Sequence, residues 1–138
     1  VLEFFCYAAL AAYTYEHAKA LGTVMFVGTI FSCIVSSAYH LKCALAEYLF
    51  LQYGRDERAK ELMLDLMNSA PALRMCCLGL LMYLITLVAA IITGAIGFPI
   101  WAIIFTILPI FILMFPLQII GTLHIAAMVS MFVWMLLI

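Results

Sequence analysis

From Met75 to Ile138 the chain carries no Asp, Glu, Lys or Arg, and no other feature restricts its possible folds so severely. A helix needs about 20 mostly apolar residues to cross a hydrocarbon core of about 30 Å, so this run holds two crossings with residues to spare. Composition agrees: 70% of residues are hydrophobic, 9% are charged and the mean hydropathy is +1.28, far from the balance of a globular domain. The sequence predicts an all-α, polytopic transmembrane bundle, a single domain over residues 1–138. It has four spans plus a C-terminal apolar helix, or five spans.

The few charges are unevenly placed, with seven of them between Arg55 and Asp65. A formal net charge of −1 offers no basic footprint for nucleic acid. The five cysteines, Cys6, Cys33, Cys43, Cys76 and Cys77, lie mostly in apolar runs without the paired spacing of a disulfide framework, and they read as small reduced packing residues.

Val1 to Tyr15 reads as most of a first helix rather than a signal peptide, and further residues are expected before Val1. Tyr7, Tyr13 and Tyr15 are expected at its membrane interfaces, with Glu16, His17 and Lys19 marking the exit to water. Leu21 to about Leu51 forms a second span longer than the bilayer requires. Gly54 interrupts it. Residues 55–68 then place Ala59, Leu62, Met63, Leu66 and Met67 at helical spacing among charged neighbours, which predicts an amphipathic surface helix. Ser69 is the expected cap of a third span, from Ala72 to about Ile96, with Pro71 in its tolerant first turn. Gly94, Gly97 and Pro99 close it.

A continuous helix from Ile100 to Ile138 would be about 58 Å long, nearly twice the hydrocarbon core. Pro109 and Pro116 are the expected kinks, and Gly121 is a further weak point. One reading bends a fourth span at the prolines and rests a terminal helix on a neighbouring subunit. The other places a tight turn near Pro116 to Gly121 and adds a fifth span. The absence of polar turn residues favours the first. Arg55, Arg58, Lys60 and Arg74 put the charged connection on the cytoplasmic side or its organellar equivalent.

Polar groups that a bilayer makes expensive are the natural functional candidates. Thr29, Cys33, Ser36, His40, Cys43 and Glu47 recur at helical steps and form one stripe, which serves either close helix packing or a wet path. Glu16 and Glu3 lie near opposite ends of the first span. Each is either a solvated interface charge or, in a symmetric oligomer, a ring of carboxylates that concentrates cations. No CxxC or HxxxH spacing, oriented catalytic triad, phosphate loop or buried lysine occurs, so no metal, cofactor or catalytic residue is expected.

The order of these elements resembles the Orai family of calcium-channel subunits. The resemblance rests on Ala8 to Glu16, Val35 to Leu45 around His40, Gly79 to Val88 within Leu78-Gly79-Leu80-Leu81-Met82-Tyr83-Leu84, and Thr106 to His124 with Pro109. It implies Glu16 as the selectivity carboxylate and His40 as part of the packing around a pore helix. The chain departs from that pattern at Thr86, where the family has an acidic residue, and the family's basic inner segment on the first helix is not among the residues from Val1 onward.

Two functions are therefore expected. One is a pore-forming cation (calcium) channel subunit, a homo-oligomer in the plasma membrane. The other is a structural or accessory subunit of a larger complex in an organellar membrane. Both take the lipid bilayer and other transmembrane helices as partners.

Overall fold

The computed structural model describes residues 2–68, 71–117 and 122–138. Among them every regular element is helical: α1 (Leu2–His17), α2 (Lys19–Thr29), α3 (Val35–Gln52), α4 (Glu57–Asn68), α5 (Pro71–Ile92), α6 (Ile107–Met114) and α7 (Thr122–Leu137). Two helices are long and apolar enough to cross a membrane: Lys19–Gln52, with mean hydropathy 1.8, and Arg74–Ile92, with 2.6. The first unites α2 and α3 through a π turn at Ile30–Ile34.

The hinge between α1 and α2 is a single residue. Ala18 leaves the helical region at φ −147° and ψ 86°, with its N–H still donating to the Thr14 carbonyl at 2.7 Å. Such a sharp reversal presses the two helices together, and Gly22 lies directly against the Tyr15 backbone, where a Cβ would collide. The next crossing is equally tight. A Cβ on Gly28 would lie 2.8 Å from the Gly79 carbonyl oxygen, and one on Gly79 would lie 2.6 Å from Ser32 N. Small residues thus let α2 and α5 meet backbone to backbone.

The core fills the space around this crossing. Met25, Leu87, Ile91, Ile96 and Ile107 are fully buried, and Tyr7, Tyr83 and Trp134 close around them. Tyr7 therefore departs from its expected interfacial place: it is 4% exposed and packs edge-on against Tyr83 at 4.6 Å. The outside of the bundle is apolar, with Leu113 and Leu136 79% and 73% exposed. An apolar exterior of this extent is what lipid or partner chains cover.

Gly54 and Arg55 end the long helix in left-handed backbone, at φ 88° and 60°. Only the glycine adopts this without strain. Asp56 then caps α4 by accepting the Ala59 N–H at 2.7 Å. The expected amphipathic helix is present, but it folds back along α3 as a helical hairpin instead of lying alone, with Ala59 and Met63 set against Ala46 and Phe50. Replacing Asp56 with alanine removes the cap, and we expect α4 to lose about 1 kcal/mol of stability. Faster amide exchange confined to its first turn is the readout, and unchanged exchange there would contradict the assignment.

The C-terminal third departs most from expectation. After Gly94 and Gly97, both at positive φ, a 3₁₀ turn (Ile100–Phe105) leads to Thr106 in extended backbone, ψ 161°. The break thus precedes Pro109, which occupies the first turn of α6 where its missing N–H costs nothing. Pro116 lies in the 3₁₀ turn that ends α6. From Ile100 to Leu117 the described backbone is thus a 3₁₀ turn, a short α-helix and a second 3₁₀ turn rather than one kinked helix.

α7 returns alongside α6 and packs on α1 of its own chain, where the Cys6 thiol reaches Met135 Sδ at 3.1 Å. The small residues Ala126, Ala127 and Ser130 make that approach possible. Ser69 and Gly121, the expected cap and weak point, lie outside the described residues.

Candidate functional site

The first turns of α1, the π turn, the start of α3 and α5 leave between them a cleft of about 570 Å³, open on one side. Each element contributes a different chemistry. α1 places a carboxylate, Glu3, among the rings of Phe4, Phe5 and Tyr7. The π turn and α3 bring Cys33, Ser36, Ser37 and His40, and α5 brings Cys76 and Leu80.

The local geometry explains why these groups converge. A π turn holds one more residue than an α turn, so it re-aims every side chain beyond it. Hydroxyls within the wide turn bond inward: Ser32 Oγ donates to the Thr29 carbonyl at 3.2 Å and Ser37 Oγ to the Cys33 carbonyl at 2.8 Å. Cys76 of α5 donates to the Ser32 carbonyl at 3.4 Å and ties α5 to the turn. π turns occur frequently at functional sites, because a loosened ladder frees backbone and side-chain groups for other partners.

Two features make the cleft more than a packing gap. Glu3 has no cationic partner among the described residues, and no lysine or arginine lines the cleft. Tyr7 Oη is buried without a hydrogen-bond partner among the described residues. Helical side chains lean towards the helix N-terminus, so the Tyr7 ring tilts towards Glu3 and the cleft. An orphaned buried hydroxyl costs about 1–3 kcal/mol until something satisfies it.

The expected site residues separate into three groups. Glu3, Cys33, Ser36 and His40 come together in the cleft. Thr29 lies above the π turn, fully buried, with its hydroxyl turned back to the Met25 carbonyl at 2.9 Å. Cys43 and Glu47 continue down α3 away from the cleft, and Glu16 is exposed at the far end of α1. The stripe is therefore not continuous, because the π turn rotates its lower part relative to Thr29. Sequence reading missed Tyr7, Ser37 and Cys76 as members of one site. The signal for Tyr7 was the ten-residue apolar run from Phe4 to Tyr13 that holds it, which fits a core as well as an interface.

The described residues contain no cluster of three or more His, Cys, Asp or Glu side chains that could hold a metal ion. What the cleft can do is accept a hydrogen bond or positive charge at Glu3, donate one at Tyr7, and cover an apolar body with Phe4, Ile34 and Leu80.

The profile of a family of unknown function, DUF6796, matches residues 1–137 of the chain. No curated protein and no solved structure matches it.

Proposed function

We propose that this chain, which belongs to the DUF6796 family of unknown function, is a multi-pass integral membrane protein that binds a small amphiphile in the cleft beside its π turn. The observation that carries this reading is the convergence of Glu3, Tyr7, Ser36 and His40 at one lateral opening in an otherwise apolar exterior. Sites of this kind bury an apolar body and fix its orientation with a few polar contacts. A bilayer supplies such ligands directly.

The test is photolabelling in nanodiscs with a single-chain amphiphile carrying a photoreactive group. Label should map to peptides holding Phe4, Ile34 and Leu80, and should fall to background when Ser36→Trp fills the cleft. Equal labelling of that variant would overturn the reading.

A second reading, a cation-conducting ring of identical copies, has its own support. The face of α1 left uncovered carries Phe5, Ala9, Ala12 and Glu16, at steps of four, three and four. Small residues there permit close approach of neighbouring copies, and Glu16 would form the acidic mouth. Glu3 cannot share that axis, because thirteen residues of helix set the two carboxylates about 140° apart. Glu16→Gln should abolish or alter cation flux, calcium included, in proteoliposomes. Flux indifferent to the change would remove the ring reading, which also carries a plasma-membrane location; the cleft reading fits any membrane, organellar ones included.

A further inference from the structure

We infer that the cleft selects amphiphiles with a positively charged amine head and a hydroxyl or carbonyl group beside it, and that it rejects heads bearing phosphate. This deepens the cleft reading and rests on it. The argument begins with charge. Among the described residues Glu3 has no lysine or arginine partner, and none lines the cleft; the His40 ring is the basic side chain on its wall. A phosphate or carboxylate head would meet the Glu3 carboxylate with no lysine or arginine to offset it, whereas an ammonium would complete a charge-assisted hydrogen bond.

The surroundings of Glu3 favour the same choice. Phe4 and Tyr7 of the same helix also line the cleft, and aromatic faces attract cations within about 6 Å, most strongly where water is thin. Tyr7 Oη contributes the second contact. Buried and unpartnered, it has a hydrogen to donate, and an acceptor on the ligand next to the amine would take it. Ile34 and Leu80 line the rest of the opening and suit a single alkyl chain that continues into lipid. The class this describes is a single-chain amino alcohol or amino amide rather than a phospholipid.

The experiment measures equilibrium binding to the full chain in nanodiscs for four probes. These are a long-chain amino alcohol, the same head on a two-carbon stub, a long-chain alcohol without the amine, and a long-chain amino alcohol phosphate. Tightest binding is expected for the first. The short-headed probe separates a membrane-delivered ligand from a free amine: binding by the stub alone would reassign the source to solution while keeping the head chemistry. Glu3→Gln should weaken the amino alcohol about tenfold and leave the plain alcohol unchanged. Tyr7→Phe should weaken it less, and Leu113→Ala, exposed on α6 away from the cleft, should change nothing.

Equal binding of the phosphate-bearing probe, or an undiminished affinity in Glu3→Gln, would overturn the inference while leaving the cleft reading intact. Failure of every long-chain probe would remove both. Size-exclusion profiles matching the parent protein keep a folding defect from imitating either result.

Discussion

Replacing Gly79 with valine should unfold the bundle. The Cβ alone would stand 2.6 Å from Ser32 N and 2.8 Å from the Gly28 carbonyl oxygen, and both obstacles are backbone that no rotamer change can move. Overpacking in a yielding core costs about 1–3 kcal/mol, and a collision with two backbones lies at the top of that range or beyond it. We expect the variant to be lost to aggregates on extraction, or to unfold well below the parent temperature in detergent. Leu81→Val, on the exposed side of the same helix, should stay within about 0.5 kcal/mol of the parent. A Gly79→Val protein as stable as the parent would mean that α2 and α5 do not meet through these glycines.

The other large effect is expected at Trp134. Its indole is 4% exposed, stands edge-on to Phe98 at 5.2 Å, and donates from Nε1 to the Phe105 carbonyl at 3.2 Å. That same carbonyl accepts the Ser130 hydroxyl at 2.6 Å. It needs both, because the extended backbone at Thr106 breaks the helical ladder that would otherwise pair it. Trp134→Ala should cost about 3–5 kcal/mol and free α7 from α1 and α6. Trp134→Phe keeps most of the volume and loses only the hydrogen bond, at about 1 kcal/mol. Denaturant titration in detergent, followed by the fluorescence of Trp101, separates the two. Equal losses would show that the hydrogen bond, not the ring, holds the hairpin.

These two positions also show where sequence reasoning reached and where it stopped. The long second helix, the amphipathic helix after Gly54 and the stop at Gly94 to Pro99 were legible, because each depends on periodicity or on residues whose backbone freedom is distinctive within a few positions. The return of α7 stays one of two open alternatives, the absence of polar turn residues favouring the other. The break before α6 has no local sign either, because the Phe105 carbonyl freed there is satisfied by Ser130 and Trp134, at least 25 residues further on. No local window contains that bargain. Pro109 misled for a related reason: a proline in a helical run reads as a kink, yet it also suits a first turn, and only the extended Thr106 before it decides between them.

The site was half legible. Cys33, Ser36 and His40, which spacing puts on one stripe, all line the cleft, while Cys43 and Glu47 of the same stripe do not. Glu3 and Glu16 were paired by their places at the two ends of one helix, although helical geometry turns them to different sides. Tyr7 was hidden because an amphipathic aromatic ring serves an interface and a core equally well, and only the tertiary contact with Tyr83 distinguishes the two.

The π turn has one more effect, on how the chain can change over time. An added residue in one turn offsets everything beyond it by about 100°. The half above, with Gly28 and Thr29, is held in phase with α5, while the half below answers to the cleft and to α4. The two halves of one rod are thereby decoupled in azimuth. Straightening Ile30 to Ile34 into an ordinary α turn with every residue kept would turn the lower half by about 100°, swing Ser36 and His40 out of the cleft and carry the α3–α4 hairpin round with them. Deleting one residue there cancels that rotation, because the residue lost is the one the wide turn absorbs.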